Sequence, residues 1–328
     1  MKKNKPVWLL CLIDLAMLGT ALVVFALFHH VIPTQKLALN LVSIQTTAQA
    51  ETLEETNETE TMQTAETVMP DAASGQTLRP SAQEVKTLSE QTGLQSAGAT
   101  VSLSEHDYLD GSVKYYLADL WLEDVTALRT AFAQNTYGSG FTDTVPRMDS
   151  LLNAALCVNG DYYGNSDEGV VVRNGVIYRA NPTDADILCL YYDGTMEVKA
   201  YQDFDAQAEA DQGIWQAWTF GPSLLNNDGS AISGFNEGRH MNGDNPRTVL
   251  GYYAPGHYAV LVVDGRGESA GLSLDELAGL CEELGFTLAY NLDGGKSSVM
   301  TFNDALVNQP ASGGRAISDV IYIAEDSL

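Results

Sequence analysis

The residues of this chain that are best suited to chemistry lie in one short run near its carboxyl end. The run from Asn291 to Ser298 directly follows the apolar segment from Phe286 to Tyr290, and it contains Asp293, two glycines and two serines. Loops that follow strands are where α/β proteins build their sites, and glycine lets a backbone approach a ligand closely. The sequence therefore predicts a site on this loop. The alternative is a plain tight turn, for which Asp-Gly-Gly is a common sequence.

Two other loops of similar composition also follow apolar segments. The loop from Asn159 to Gly164 follows residues 154–158, and the loop from Asp264 to Arg266 follows residues 259–263. Two further segments, at residues 247–252 and 315–320, each begin a predicted strand with an arginine. The chain thus repeats one arrangement, in which polar and charged residues stand at the ends of apolar strands.

In order and rough spacing, these elements resemble the phosphodiester glycosidase family over roughly Tyr108 to Glu325. The family's most diagnostic string, Asn-Leu-Asp-Gly-Gly-x-Ser, is intact from Asn291 through Ser297, and Lys296 stands where many members carry a third glycine. The pairs at 159–160 and 247–248 and the triplet at 264–266 resemble the family's other markers. The resemblance implies hydrolysis of a sugar that is attached through its anomeric carbon to a phosphodiester.

The resemblance also implies roles for individual residues. A carboxylate near the anomeric carbon would stabilise an oxocarbenium-like cation or activate water, and guanidinium groups match phosphate oxygens. The candidate catalytic residues are Asp293, Asp161 and Asp264. The candidate substrate and phosphate ligands are Asn159, Arg247, Arg266, Gly294, Gly295, Ser297 and Arg315. We expect Asn159 to bind a sugar hydroxyl, and the amides of Gly294 and Gly295 to form an anion-binding nest.

Each of these residues also has a purely structural interpretation. Arg247 and Arg315 could pair with surface acids, since exposed ion pairs are common. Asp264 and Arg266 could simply form a turn. The Tyr162-Tyr163 pair could pack in the core or form a stacking wall for a sugar.

Two alternative functions remain open from the sequence. No cofactor is certain, but the acidic loops could hold a divalent cation, either calcium or magnesium, and the protein would then be a metal-dependent phosphodiesterase acting on wall polymers. A non-catalytic polysaccharide-binding module is the other alternative. Metal dependence separates the two enzymes, and any turnover excludes the binding module.

The net charge narrows the range of partners. The chain has 17 lysines and arginines against 43 aspartates and glutamates, a formal net charge of −26. Nucleic-acid binders carry basic patches, so nucleic acid is excluded as a partner. An anionic ligand would need a local basic pocket within this acidic field. The family resemblance and a location outside the membrane, rather than the net charge, imply a cell-surface glycan or phosphoglycan substrate as the partner.

The amino-terminal residues 1–32 predict a membrane anchor. Lys2, Lys3 and Lys5 precede the apolar segment from Val7 to Phe28, which is long enough to cross a bilayer. The positive-inside rule places the amino terminus in the cytoplasm and the catalytic domain outside the cell membrane, as a single-pass protein. A cleaved signal peptide is the alternative, with residues 48–50 as the cleavage site.

Residues 33–107 predict a flexible stalk, and residues 108–328 predict one folded domain. Between Pro33 and Asp107 there is no Phe, Trp or Tyr, so this segment has little apolar surface to bury. The domain pattern indicates an α+β (mixed α/β) fold, with a twisted mixed, largely antiparallel sheet and flanking helices.

Local signals place several elements of this domain. Turns at residues 174–175 and 193–194 predict two hairpins, and Ser273 with Glu276 forms a capping box that begins a helix. Val113 to Leu122 reads as a strand, and Asp124 is expected to cap a helix that runs to about Ala133. Three cysteines are expected to be buried thiols: Cys157, Cys189 and Cys281.

Overall fold

The computed structural model describes residues 98–325, together with the short strands Thr34–Gln35 and Gly93–Gln95. The predicted membrane anchor and most of the predicted stalk lie outside the described residues. Within the residues that are described, no helix is both long enough and apolar enough to cross a membrane.

The described residues form three sheets of five or six strands, and every strand pair in them is antiparallel. The six-stranded sheet has the order Leu288–Asn291, Arg247–Ala254, His257–Val263, Val113–Leu122, Ala99–Tyr108, Gly93–Gln95. One five-stranded sheet has the order Ala305–Leu306, Met300–Phe302, Ala154–Asn159, Asp319–Ala324, Arg129–Phe132. The other has the order Met196–Lys199, Ile187–Tyr191, Ile214–Thr219, Gly169–Arg173, Val176–Asn181. The predicted antiparallel character is confirmed, but the prediction of a single sheet is wrong.

The three sheets pack around one shared apolar core. Leu120 of the six-stranded sheet, Val158 of one five-stranded sheet and Trp218 of the other all belong to it. The opposite face of each sheet carries its own apolar cluster. The α-helices of this part of the chain are Val145–Leu152, Ala206–Gln212, Arg239–Asn242 and Leu274–Glu283. Successive strand residues point to opposite faces, so the strand Ile187–Tyr191 contributes Leu188 and Leu190 to the shared core and Ile187 and Cys189 to its own outer cluster.

Most of the local predictions are confirmed. The hairpins turn at Asn174-Gly175 and Asp193-Gly194, and both glycines have a positive φ. The capping box is present, with the Ser273 hydroxyl accepting from the Glu276 N–H. The three cysteines are free and buried.

The helix predicted after Asp124 is wrong. The Asp124 carboxylate does cap the Thr126 N–H, at 2.8 Å, but the helix is a single 3₁₀ turn, Val125–Ala127. The chain then enters the strand Arg129–Phe132, which pairs with Asp319–Ala324. Sheet pairing with a distant segment overrides the local capping signal here.

The boundary predicted at Tyr108 comes too late. Ala99–Tyr108, which the sequence placed mostly in the stalk, pairs with Val113–Leu122 along its whole length. Ala99 and Val101 are fully buried in the shared core. The lack of aromatic residues before Tyr108 does not mark the end of the stalk, because alternation of small apolar and polar residues is sufficient to form a half-buried strand.

A buried carboxylic acid lies outside the region of the predicted site. Asp149, on the helix Val145–Leu152, is 1% exposed, and its Oδ1 atom has no hydrogen-bond partner among the described residues. Burial raises the pKa of Asp149 to about 6, although a hydrogen bond from Thr301 opposes the shift. The unfolded chain would have an aspartate pKa near 3.9.

We expect the Asp149→Asn variant to remove a pH-dependent loss of stability. Between about pH 4 and 6 the folded state holds a proton that the unfolded state has lost, so stability falls as pH rises through this window. Across the window the wild type should therefore lose about 1 to 3 kcal/mol more than the variant loses. Urea denaturation from pH 4 to 7 measures this, with exposed Asp211→Asn as the control. Parallel curves for wild type and the Asp149 variant would contradict it.

Candidate active site

Loops from two of the sheets meet at one edge of the molecule. In the six-stranded sheet Val249 pairs with Asn291, so the start of strand Arg247–Ala254 lies beside the loop that carries Asp293. The strand Ala154–Asn159 of a five-stranded sheet ends at the same place. The last residue of that strand is Asn159, and its Nδ2 atom donates to the Asp293 carbonyl oxygen at 2.7 Å. The loops that the sequence singled out are therefore brought together around Asp293.

The Asp293 carboxylate is buried and held from three sides. It is 6% exposed, and its Oδ2 atom lies 2.6 Å from Nη2 of Arg315. The Ser297 hydroxyl and the Gly294 N–H also bond to this carboxylate, and Nε of Arg315 donates to the same hydroxyl. Burial raises the pKa of Asp293, and Ser297 and Arg315 act in the opposite direction. These contacts fix the carboxylate in one orientation and favour its ionised form.

The ring of Tyr162 lies against the guanidinium group of Arg315. The guanidinium carbon of Arg315 lies 4.6 Å from the centre of the Tyr162 ring, which is a cation-π arrangement. Tyr162 has φ +67°, a conformation that bulky residues rarely adopt. Tyr162 is half-buried, and its ring contacts the arginine that holds Asp293. Tyr163, by contrast, is a core residue at 3% exposure.

Asp293 opens into a cleft of about 250 Å³ whose charge is opposite to that of the chain. Of the described residues that line the cleft, only Asp293 carries a carboxylate. The cationic residues that line it are Arg247, Arg266, Lys296 and Arg315. The cleft is the kind of local basic pocket that an anionic ligand needs on such an acidic protein. A cleft of this charge attracts a phosphate group.

Arg247 lies at the floor of the cleft. It is 3% exposed, with Nε donating to the Leu272 carbonyl and Nη2 donating to the carbonyls of Met241 and Gly243. Burial lowers the pKa of Arg247 to about 10, and the charge of Arg266 adds to this effect. Arg247 remains charged near neutral pH, and its hydrogen-bond partners here are carbonyl groups rather than carboxylates. Its positive charge is therefore available to the cleft.

Asp161 does not line the cleft. It is 2% exposed, and its oxygens accept from Nη2 of Arg173 at 2.8 Å and from the Thr219 N–H at 2.9 Å. Arg173 also bonds to Asp319, at 2.8 Å. The structure thus gives Asp161 a supporting place in a buried ion-pair cluster rather than the predicted catalytic one.

Asp264 does not line the Asp293 cleft either. It is 5% exposed and accepts from the Asn308 side chain at 2.8 Å and the Gln309 N–H at 3.0 Å. Burial raises the pKa of Asp264, and these hydrogen bonds oppose the shift. It lines a neighbouring cleft, which meets the first one at Arg266.

Asn159 is a positioning residue and is not free to bind a sugar. Its side chain is fully buried, with Nδ2 donating to the Asp293 carbonyl and Oδ1 accepting from the Thr248 hydroxyl at 2.9 Å. The predicted bond to a sugar hydroxyl is therefore contradicted.

The two glycines of the motif also act within the protein. The Gly295 N–H donates to the Pro246 carbonyl at 2.9 Å, and the Gly294 N–H bonds to the Asp293 carboxylate. A Cβ atom on Gly294 would lie 2.8 Å from the Pro246 oxygen, which excludes any side chain there. The Gly295 amide is thus already bonded within the protein, so the two amides do not form the predicted anion nest together.

Several residues of the site were missed from the sequence. Asn245 fixes Arg266, since its Oδ1 atom accepts from Nε of that arginine at 3.1 Å. Arg173 and Asp319 form the buried cluster with Asp161, and burial raises the pKa of Asp319. The signal that could have found Arg173 is its place at the end of the otherwise apolar strand Gly169–Arg173.

A divalent-cation site is the remaining sequence-level prediction. In the part of the chain that the structure describes, no three His, Cys, Asp or Glu side chains come together as such a site requires. Dependence on calcium or magnesium stays a prediction to be tested with a chelator.

Comparisons with known proteins identify the family of the chain and a similar fold. The model of the phosphodiester glycosidase family matches residues 152–324. A curated relative, the SPbeta prophage-derived uncharacterized protein YomE of Bacillus subtilis (strain 168), is 26% identical over 196 residues. That match covers 57% of this chain and 30% of the relative, so the chain spans about a third of the relative's length.

A solved structure shares the fold. It is the catalytic domain of zebrafish N-acetylglucosamine-1-phosphodiester alpha-N-acetylglucosaminidase, auto-inhibited by its pro-peptide. The TM-score is 0.56 at 18% identity, and the match covers 69% of this chain and 83% of that one. At this identity the likeness supports the fold alone. Because the family model matches more than half of the chain, this protein belongs to the phosphodiester glycosidase family.

Proposed function

We propose that this chain hydrolyses the bond between the anomeric carbon of a sugar and a phosphodiester. Water adds to the anomeric carbon, the carbon–oxygen bond to phosphate breaks, and the products are a free sugar and a phosphate monoester of the alcohol. The observation that carries the proposal is the placement of one fixed carboxylate, Asp293, in a cleft with four cationic side chains.

The charges in the cleft suit such a reaction. The transition state places positive charge on the sugar ring and negative charge on the departing phosphate. Asp293 stabilises the ring cation or activates the attacking water, and Arg247, Arg266 and Lys296 stabilise the phosphate. Arg315 binds Asp293 through Nη2, and because its side chain is 37% exposed it also stabilises the phosphate.

The cellular setting is part of the proposal and rests on the amino-terminal sequence. Lys2, Lys3 and Lys5 before the apolar segment 7–28 support a single-pass anchor with the domain outside the membrane. In that location the substrate is a cell-surface glycopolymer or exopolysaccharide that contains sugar-1-phosphodiester links.

The full chain is expected to release free sugar from an N-acetylglucosamine-1-phosphodiester, and to do so in the presence of a chelator. The reason is that the cleft stabilises the phosphate through guanidinium and ammonium groups of the protein itself. A reducing-sugar assay measures the product. Activity that disappears with chelator and returns with calcium or magnesium would favour the metal-dependent phosphodiesterase instead. No product with any such diester would favour the binding module.

A further inference from the structure

One bulky residue beside the active cleft has a backbone conformation that glycine or asparagine usually adopts. Tyr162 has φ +67° and ψ +26°, in the left-handed region. Such a conformation costs energy in a large side chain, and it persists only where the surrounding structure holds it. Strain of this kind clusters at functional sites, so the contacts of the Tyr162 backbone and ring indicate what the residue does.

The backbone of Tyr162 is held from both sides. Before it, the Gly160 N–H donates to the Asp319 carbonyl at 3.0 Å, and a Cβ atom on Gly160 would collide with the carboxylate of that aspartate. After it, the Tyr163 N–H donates to Oδ1 of Asp161 at 3.2 Å. Both aspartates belong to the buried cluster of ion pairs. This cluster therefore holds the strained loop, and Tyr162 with it, in one conformation.

The ring of Tyr162 acts on the cleft through Arg315. The guanidinium carbon of Arg315 lies 4.6 Å from the ring centre, and Nη2 of the same arginine lies 2.6 Å from Oδ2 of Asp293. Tyr162 is not among the described residues that line the cleft. Because the Arg315 side chain is partly exposed, water competes for its guanidinium. The ring face is one of the contacts that keep this group beside the carboxylate.

The ionisation of Asp293 depends on the position of Arg315. Burial raises the pKa of Asp293, and Arg315 lowers it. If the guanidinium moved away, the buried carboxylate would take up a proton more readily, and a protonated Asp293 can neither stabilise a ring cation nor activate water. The other charged groups around this carboxylate are Asp319, which interacts with it electrostatically, and the remaining cations of the cleft, namely Arg247, Arg266 and Lys296.

We propose that Tyr162 is a positioning residue for the reaction, which acts by keeping the Arg315 guanidinium against the Asp293 carboxylate. The inference rests on the proposed function. The contact uses the face of the ring, so phenylalanine can replace tyrosine here. The buried ion pairs of Asp161 serve the same role at one remove, because they hold the loop that presents the ring.

Two variants of Tyr162 separate the ring from the backbone. Tyr162→Phe keeps the ring face. Tyr162→Asn removes the ring but suits a left-handed backbone, so the loop should still fold. The control is Tyr137→Leu, which removes a ring that stacks on the neighbouring Tyr163 at 5.3 Å and leaves the Tyr162 ring in place.

The first test measures the ionisation of Asp293 and needs no turnover. Carbon-13 NMR of the full chain, with aspartate labelled at its carboxyl carbon, follows the titration of each carboxylate, and the Asp293 signal is the one that Asp293→Asn removes. In the wild type, Tyr162→Phe and Tyr137→Leu this signal should titrate at the same pH. In Tyr162→Asn it should titrate at a higher pH. An unchanged titration in Tyr162→Asn, or an equal shift in Tyr137→Leu, would overturn the proposal.

The second test follows kcat/KM for an N-acetylglucosamine-1-phosphodiester as the pH is lowered from about 8 to 5. An opposite charge within about 4–6 Å favours an ionised carboxylate by a factor of ten or more, so kcat/KM of Tyr162→Asn should fall about tenfold further than that of the wild type. Tyr162→Phe should follow the wild type. A shifted NMR titration without cleavage of any diester would refute the proposed reaction and support the role of Tyr162. Cleavage with the same pH dependence in the wild type and Tyr162→Asn would refute that role and support the reaction.

Discussion

Replacing Asp293 with asparagine is expected to lower kcat/KM for a sugar-1-phosphodiester by about 10²–10⁴-fold. Asparagine keeps the size of the side chain but removes the negative charge that faces the ring cation and the basicity needed to activate water. Ser297 and Arg315, which fix the carboxylate, would still lie beside the asparagine side chain, so the loop should keep its conformation. Initial rates at low substrate concentration measure the loss.

Two controls separate chemistry from folding in this experiment. The melting temperature of the Asp293 variant should stay within a few degrees of wild type. Asp304→Asn makes the same chemical change at an exposed residue outside the cleft, and it should retain full activity. Wild-type kcat/KM in Asp293→Asn would remove Asp293 from the catalytic role.

The Arg173→Leu variant is expected to lower the free energy of unfolding by about 3–5 kcal/mol. Arg173 is 2% exposed and bonds to Asp161 and Asp319 at 2.8 Å each. Removing the guanidinium leaves two buried carboxylates side by side with no cation between them. Urea denaturation at pH 7 measures the change.

A surface arginine is the control for this prediction. Arg147 pairs with Asp143, but its side chain is 71% exposed, so Arg147→Leu should cost no more than about 1 kcal/mol. Adding Asp161→Asn and Asp319→Asn to Arg173→Leu should recover part of the lost stability, because the unpaired charges disappear. Equal losses from the two arginine variants would show that the buried cluster is not a main source of stability.

The sequence predicted the residues that line the cleft better than those that hold them. Asp293, Arg247 and Arg315 stand in loops at strand ends, where polar residues beside apolar segments are visible from composition alone. The residues that hold the cleft residues in place depend on contacts between distant segments of the chain. Arg173 and Asp319 are 146 positions apart, and no local pattern links them.

The same limit explains the misassigned roles. Asn159 and the glycines of the motif have residue types that suit a ligand, and only the fold shows that Asp293 and Pro246 already occupy their hydrogen-bonding groups. The number of sheets could not be predicted from the sequence for the same reason. Alternation along a strand indicates that both faces are used, but not which strands pair, since pairing is set by long-range contacts.

Hydrolysis of a sugar-1-phosphodiester in oxygen-18 water shows directly which bond this protein breaks. If the cleft at Asp293 acts on the anomeric carbon, the phosphate monoester will contain no labelled oxygen, because its phosphorus–oxygen bonds stay intact. Mass spectrometry of the phosphate product reads this out. One labelled oxygen in that product would show that water attacks phosphorus, and would contradict the assignment of this cleft as a glycosidase site.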